Sequence, residues 1–276
     1  MNYNNEQAEV VLKALGQEMA MDTPPHLKLK RMWWTIIGLR ARYLANIVRR
    51  VCNGEVMSGP FKGMKLTQDA INAYNACLVL GAYEHELHDV FEKIISGNYT
   101  RILNIGCSVG YYAVGLARRM PHLTIDAFDT NPEARDKCAA MAALNGVEDR
   151  VRISGEFCAA NFEAYANEST IAIVDIEGGE LSLLDPDAYP ALRQIDIVVE
   201  LHDVLREGMS KMVSERFASS HGIQIIQNKT ALPNLDTLLP PNYHMDPFDH
   251  LLMGWEGRDG STPWGVFIKN TVKTGG

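Results

Sequence analysis

The sequence lacks any apolar run long enough to cross a membrane. Its longest uncharged apolar stretch near the start, residues 32–39, has eight residues, whereas a spanning helix needs about 20. The first residues are polar and lack the apolar segment of a secretory signal. The five cysteines are odd in number, widely spaced and form no C-x-x-C pair, which argues against a disulfide framework or a zinc site. These absences predict a cytoplasmic protein without a transmembrane span.

Basic charge is also scarce. The chain has 26 Lys and Arg residues against 34 Asp and Glu residues, a net charge of -8. This balance argues against nucleic acid as a partner, because contact with a phosphate backbone needs a surplus of positive charge. Residues 23–54 are the exception, with seven basic residues, no acidic ones and apolar residues at helical spacing. We predict an amphipathic helix that packs on the main domain with its charges in solvent. The alternatives are peripheral membrane contact by residues 27–51 or contact with an anionic substrate.

After residue 100, short apolar runs alternate with helical stretches, which is typical of βαβ units and a parallel sheet. We therefore predict an α/β fold with a seven-stranded, doubly wound, Rossmann-like sheet and an N-terminal helical extension. The extension covers residues 1–96 and the cofactor-binding domain covers residues 97–276. The predicted strands are 101–105, 124–128, 151–154, 171–176, 195–200, 223–227 and 265–269.

Residues 228–264 form a long interval rich in proline and glycine. Loops of this length inside a compact domain are usually functional or disordered, and the aromatic content of this one argues against disorder. We predict a substrate lid inserted in the cofactor-binding domain. The aromatic candidates for covering a pocket are Trp33, Trp34, Tyr243, His244, Trp255 and Trp264.

Two glycines mark the turn directly after the first predicted strand. Gly106 and Gly110 have the spacing G-x-x-x-G, not the G-x-G-x-x-G that holds a dinucleotide pyrophosphate, so NAD is disfavoured. S-adenosylmethionine has no phosphate, and its carboxylate suits a helix N-terminus. Asp129 ends the second predicted strand, 23 residues after Gly106, where an acidic side chain can accept hydrogen bonds from ribose hydroxyls. The two features together favour S-adenosylmethionine.

Four motifs in order carry a family resemblance. Residues 102–112 read ILNIGCSVGYY, residues 127–134 read AFDTNPEA, residues 174–180 read VDIEGGE, and residues 199–202 read VELH. Over about residues 80–227 the chain resembles the FkbM-type methyltransferases. The resemblance implies a Rossmann-like sheet with a reversed final strand, S-adenosylmethionine as methyl donor, and O-methylation of small metabolites or sugars.

The chain departs from the FkbM pattern at two positions. Asn104 stands where such proteins usually carry Asp, and Asp129 where they usually carry Glu. Asn104 can hydrogen-bond near the methionine amino group but cannot neutralise its charge, so we expect an altered affinity for the same cofactor. Tyr83 and Glu84 are a further, weaker candidate contact. The predicted cofactor-binding residues are Asn104, Gly106, Cys107, Ser108, Gly110, Tyr111, Asp129, Thr130, Glu156, Phe157 and Asp175.

Acidic side chains end the fourth and fifth predicted strands. Strand alternation places Asp175 and Glu177 on one face, and Glu200 and His202 on one face, at the edge where ligands sit. We predict that these four are catalytic, with His202 or a carboxylate taking the proton of a substrate hydroxyl. A divalent cation is an alternative that the sequence does not favour. A structural role is the third, with the acids capping the next helix or pairing with a nearby base.

The sequence therefore predicts an S-adenosylmethionine-dependent methyltransferase that acts on a hydroxyl, or second an amine, of a small metabolite or sugar. The alternative from another class is a catalytically silent cofactor-binding protein that docks a partner through its basic N-terminal helix. Neither the identity of the acceptor nor the oligomeric state follows from the sequence, because pocket shape and surface contacts decide both.

Overall fold

The computed structural model describes residues 5–229, 245–258 and 260–270. Its strands are β1 Arg101–Ile105, β2 Ile125–Phe128, β3 Val151–Ser154, β4 Thr170–Val174, β5 Asp196–Glu200, β6 His221–Ile226 and β7 Trp264–Lys269. They form one seven-stranded sheet in the order β3-β2-β1-β4-β5-β7-β6. The predicted fold class is confirmed, and the ends of each strand lie within two residues of the predicted ends.

The order of the strands creates a crevice at the carboxyl edge of the sheet. β1 pairs in parallel with β2 on one side and β4 on the other, so the chain winds away from β1 in both directions. All five residues of β4 and of β5 are buried, as expected for parallel strands covered on both faces. β7 is antiparallel to β5 and to β6, which is the reversed final strand that the family resemblance implies.

Helices cover both faces of this sheet. The helices α5 and α6 pack on one face together with the N-terminal helices, and α7 and α8 pack on the other. Their bounds are α1 Asn5–Ala20, α2 Pro25–Val51, α3 Gln68–Leu80, α4 His88–Ser96, α5 Tyr111–Arg119, α6 Pro132–Leu144, α7 Glu180–Leu183, α8 Met209–Phe217 and α9 Pro247–Gly254. One apolar core thus includes residues from α2 to β7, and the boundary between residues 1–96 and 97–276 stays a prediction.

The basic helix α2 is present as predicted, but it packs through a face other than the predicted apolar stripe, of which Leu29 and Trp33 are exposed. Its buried residues begin at Ile37 and end at Val48, and it contacts α3 and α9. The helix α1 lies within the predicted helical extension but was not predicted individually; none of its described side chains, residues 8–20, is buried, and its apolar stripe is weak. Among the described helices, none has both the length and the apolar character needed to span a membrane.

One of the basic charges of α2 is not in solvent, contrary to the prediction. The Arg40 guanidinium is buried, and it donates two hydrogen bonds to the Asp249 carboxylate of α9, at 2.8 and 2.6 Å. Bidentate pairs of this kind fix geometry as well as charge. Arg40 and Asp249 therefore tie the N-terminal helix to the predicted lid region.

We expect Arg40→Met to lower the free energy of unfolding by about 3 kcal/mol, since it leaves the Asp249 carboxylate buried without its partner. Urea denaturation followed by circular dichroism measures this change. The matched control is Arg42→Met, because Arg42 is exposed on the same helix and its loss should cost less than about 0.5 kcal/mol. Equal losses in the two variants would contradict the role of the pair.

The predicted lid aromatics fall in several places. Trp264 is the first residue of β7 and is fully buried, so the prediction that it covers a pocket is wrong. Trp34 stacks on Trp255 with ring centroids 5.4 Å apart, and Trp33 is exposed. Tyr243 and His244 lie outside the described residues. The described part of the lid region thus packs on α2 through α9 and Trp255.

Candidate active site

The glycine turn after β1 requires glycine at its first position. Gly106 has φ +83°, and a Cβ there would lie 1.6 Å from the carbonyl oxygen of Asp175. The turn is held by two amides, those of Gly106 and Cys107, which both donate to the carbonyl oxygen of Phe128 at the end of β2. Gly110 has φ +87°, and its added Cβ would lie 2.8 Å from the Cys138 sulfur on α6. The turn is therefore packed tightly against β2, β4 and α6.

Asp129 connects the glycine turn to the end of β2. Its Oδ2 accepts a hydrogen bond from the Ser108 amide at 2.9 Å, and its Oδ1 accepts one from the Asn131 amide at 2.9 Å. An ionised carboxylate has about four acceptor positions, so both oxygens retain capacity for ligand hydroxyls. The side chain is part-exposed and faces a cavity. Asp129 is thus held in place by the backbone at a position open to a ligand.

A cavity of about 510 Å³ lies beside this turn at the carboxyl edge of the sheet, within the size range of small-molecule sites. We call it the donor cavity. Six of the predicted cofactor-binding residues line it: Gly106, Asp129, Thr130, Glu156, Phe157 and Asp175. Phe128 and Phe157 meet edge to face there, with ring centroids 4.8 Å apart. The cavity thus combines an apolar wall with carboxylates, as ligand sites commonly do.

Five other predicted cofactor-binding residues are not in the wall of the donor cavity: Asn104, Cys107, Ser108, Gly110 and Tyr111. The Tyr111 ring packs edge to face on Phe61 and Tyr83, so its side chain belongs to the core. Asn104 is buried on β1, and neither its Oδ1 nor its Nδ2 has a hydrogen-bond partner among the described residues. A buried amide without partners is costly unless a ligand or water satisfies it.

A second cavity, of about 320 Å³, lies next to the donor cavity. We call it the acceptor cavity. Asp175 and Glu177 line both cavities. The other charged residues of the acceptor cavity are Glu200, His202, Glu256 and Arg258. The four predicted catalytic residues therefore all lie in its wall.

His202 lies at the centre of a group of acidic side chains. Its Nδ1 lies 2.8 Å from Oε1 of Glu180, a fully buried residue at the start of α7. Its Nε2 faces three carboxylate oxygens, of Glu177 at 3.4 Å, Glu200 at 3.4 Å and Asp175 at 3.7 Å. Glu180 was not among the predicted site residues, although it is the last residue of the motif VDIEGGE.

Arg258 closes the other side of the acceptor cavity. Its guanidinium contacts the carboxylates of Glu84 at 2.5 Å, Glu256 at 2.7 Å and, closer still, Glu200. The structural alternative for Glu200, a pair with a nearby base, is thus present, while its second oxygen still faces His202. Arg258 lies in the predicted lid interval, where a single arginine gave no signal in the sequence. Glu84 was only a weak candidate.

Burial and crowding shift the pKa values of these groups. Burial, and next the charge of Glu200, raise the pKa of the Asp175 carboxyl well above its ordinary range. The same two causes raise the pKa of Glu84. Burial lowers the pKa of His202, but the hydrogen bond with Glu180 and the charge of Glu200 outweigh it and raise the pKa to about 9. The site thus crowds acidic groups around one imidazole, and the crowding favours the protonated forms of Asp175, Glu84 and His202.

Backbone strain accompanies these side chains. Among the described non-glycine residues, four have positive φ, and three of them are at this site: Glu84 at 45°, Ser108 at 46° and Glu177 at 52°. Such conformations cost on the order of 1–3 kcal/mol each and cluster at functional sites. The strain supports a functional role for this edge of the sheet.

No protein-family model matches the chain. The release factor glutamine methyltransferase of Deinococcus radiodurans is 31% identical over 115 residues, which are 42% of this chain and 38% of that protein. The ribosomal RNA small subunit methyltransferase C of Shewanella sp. is 29% identical over 111 residues, 36% of this chain and 32% of that protein. The chain thus spans well under half the length of these curated relatives.

Two solved structures are similar in fold. The O-methyltransferase TomG from Streptomyces achromogenes, solved in complex with SAM, is 14% identical, with a TM-score of 0.46 over 84% of this chain and 90% of that one. The O-methyltransferase from Bacillus cereus, in complex with SAH, is 11% identical, with a TM-score of 0.40 over 98% of this chain and 93% of that one. In this chain the sheet has β7 reversed between β5 and β6.

Proposed function

We propose that this chain is an S-adenosylmethionine-dependent methyltransferase of the FkbM type that transfers a methyl group to a hydroxyl of a small metabolite or sugar. The observation that carries the proposal is the meeting of two cavities along Asp175 and Glu177. One cavity is built on the glycine turn and the other is walled by acids. A donor in the first and an acceptor in the second would face each other at this boundary.

The donor cavity suits S-adenosylmethionine. Asp129 is open to a ribose, and the ring of Phe157 offers an apolar surface to an adenine. Gly106, which has no side chain, lines the cavity with its backbone. Asn104 has a buried amide that lacks a partner among the described residues, and the methionine amino group of the donor would satisfy its oxygen. The residues present therefore fit this donor.

The reaction needs alignment more than covalent help. The sulfonium of S-adenosylmethionine supplies the methyl group: the acceptor oxygen forms the new C–O bond, and the C–S bond breaks with its electrons passing to sulfur. The hydroxyl proton is lost toward the acidic wall of the acceptor cavity. Asp175, Glu177, Glu200 and His202 orient the hydroxyl there, and orientation with exclusion of water accounts for most of such an acceleration.

The charge of the acceptor cavity favours a neutral polyhydroxyl compound, with an amine second. Five carboxylates, those of Glu84, Asp175, Glu177, Glu200 and Glu256, surround Arg258 and His202. An acceptor that carries phosphate or carboxylate near its reactive atom would meet repulsion from them. Hydroxyl and ammonium groups, which donate hydrogen bonds, match such a wall.

The function is tested by incubating the protein with a metabolite extract and a donor carrying an isotopically labelled methyl group. We expect one class of labelled product, a methyl ether of a polyhydroxyl compound, identified by mass spectrometry. Calorimetry measures donor binding separately. Failure to bind the donor at millimolar concentration would refute the proposal, while binding without transfer to any extract would support the silent cofactor-binding alternative.

We expect Asp129→Ala to weaken donor binding about tenfold to a hundredfold, because hydrogen bonds to a charged group contribute roughly 1.5–3 kcal/mol. Calorimetry at neutral pH gives the dissociation constants. The matched control is Asp136→Ala, which removes an exposed carboxylate from α6. Asp129→Asn keeps one acceptor oxygen and should fall between the two. Unchanged donor binding by the Asp129→Ala variant would show that Asp129 does not contribute to the donor site.

A further inference from the structure

We propose that Asp175, Glu200 and His202 bind one divalent transition-metal ion, of the Mn²⁺ class, where the donor and acceptor cavities meet. One ligand atom from each residue lies within 4.8 Å of the other two. The ligand set is two carboxylates and one imidazole, which suits Mn²⁺, Fe²⁺ or Zn²⁺. The proposal concerns binding first; the role of the ion in catalysis rests on the proposed function.

The spacing around His202 fits an ion better than it fits hydrogen bonds. Its Nε2 is 3.4 Å from Oε2 of Glu200 and 3.7 Å from Oδ1 of Asp175, beyond the usual range of about 2.7–3.2 Å for an N–H···O hydrogen bond. Ligand atoms around an ion with bonds of about 2.1 Å are separated by roughly 3.0–3.4 Å. A bound ion would draw the three ligand atoms, which lie within 4.8 Å of one another, to that separation.

Glu180 holds the imidazole in the orientation that a metal ligand needs. Its Oε1 is 2.8 Å from Nδ1 of His202, and Glu180 is fully buried. When Nδ1–H donates to this carboxylate, Nε2 points at Asp175 and Glu200, and a bound ion would displace the Nε2 proton. Metal-binding histidines almost always donate their other N–H to a carboxylate, a carbonyl or water in this way. Glu180 is therefore a positioning residue.

Two further observations call for a cation at this point. Oδ1 of Asp175 is buried and has no hydrogen-bond partner among the described residues. The two oxygens of Glu200 have different partners: Oε1 contacts Arg258, and Oε2 faces His202. Together with Glu180, six carboxylates then surround one guanidinium and one imidazole. A divalent ion would reduce this excess of negative charge, which is costly in a buried site.

The position of the ion assigns it a role in the proposed reaction. An acceptor hydroxyl in the acceptor cavity would bind the ion through oxygen, and the ion would favour loss of the hydroxyl proton. The proton would pass to solvent beside Glu177, whose side chain is 80% exposed. The oxygen would then face the donor cavity across Asp175.

The test is a Mn²⁺ titration of the full chain, without donor or acceptor, after dialysis against a chelator. Electron paramagnetic resonance measures free Mn²⁺, and its pulsed form detects nitrogen bonded to the bound ion. We expect one Mn²⁺ per chain with a nitrogen signal. His202→Gln should abolish the nitrogen signal, and Asp175→Asn should weaken binding at least tenfold. Glu207→Gln, which changes an exposed carboxylate nearby, should match the parent chain.

A bound Mn²⁺ without a nitrogen signal, or equal binding by Asp175→Asn and Glu207→Gln, would overturn the proposal. Thermal unfolding of each variant shows whether it is folded, and Glu200→Gln provides a second ligand variant. The outcomes for the site and for the function are separable. If no Mn²⁺ bound and methyl transfer were unaffected by chelator, the metal site alone would be overturned. If Mn²⁺ bound but no methyl transfer occurred, the metal site would stand and the proposed function would be contradicted.

Discussion

His202→Ala is expected to lower the rate of methyl transfer about a thousandfold while changing donor affinity less than about threefold. His202 lies in the wall of the acceptor cavity and not of the donor cavity. Its loss removes the group on which three carboxylates converge, and removing one group that stabilises charge at the reacting atoms costs about 10²–10³ in rate. Labelled-donor turnover measures the rate, and calorimetry measures the affinity.

Removing His202 also leaves the Glu180 carboxylate buried without its partner, which can unfold the chain. His202→Gln is the companion variant, since its amide can still donate to Glu180. His122→Ala is the matched control, because His122 is exposed and precedes β2 at the opposite edge of the sheet. A folded His202→Gln variant with turnover equal to that of His122→Ala would show that His202 is not catalytic.

Gly106→Ala is expected to abolish donor binding and to lower the free energy of unfolding by about 3 kcal/mol or more. The new Cβ would lie 1.6 Å from the Asp175 carbonyl oxygen, so β1 and β4 would have to separate at their carboxyl ends. Overpacking alone costs about 1–3 kcal/mol, and the left-handed backbone adds roughly 1–2 kcal/mol. Urea unfolding and donor calorimetry measure the two effects.

Gly146→Ala separates the two causes in this prediction. Gly146 has φ +63°, but an added Cβ there meets no atom within 4 Å. The Gly146→Ala variant therefore has the cost of a left-handed backbone without a steric clash. It should lower the free energy of unfolding by about 1 kcal/mol and leave donor binding intact. If the two alanine variants lost the same stability and Gly106→Ala still bound the donor, the close contact with Asp175 would not matter.

The sheet was predictable because its signals are local. Most strands contain a short apolar run bounded by turn residues, and the buried strands β4 and β5 have apolar residues at 171–174 and 197–199. The carboxyl ends of these strands then locate Asp175, Glu177, Glu200 and His202, because strand ends of a parallel sheet share one edge. That part of the acceptor cavity could therefore be predicted from the order of the strands along the chain.

The remainder of the site depends on contacts between distant parts of the chain. Arg258 meets Glu84 across 174 residues of sequence, and no periodic pattern links them. Glu180 directly follows the two glycines of its motif, but burial and its hydrogen bond with His202 distinguish it only in the folded chain. Arg40 was expected in solvent because a helical stripe shows which face is apolar, not which charge meets a partner such as Asp249.

The position of β7 has a consequence for the order in which the two cavities can form during synthesis. Among the described residues, every wall residue of the donor cavity precedes residue 190, whereas the acceptor cavity includes Arg258 and Thr262. In the described part of the sheet, β6 pairs with β7 alone, so it can pair only after a later strand has been translated. On a ribosome, a cofactor-sized cavity could thus close on the order of several seconds before its reactive neighbour exists. A nascent chain could hold its donor before it is able to use it.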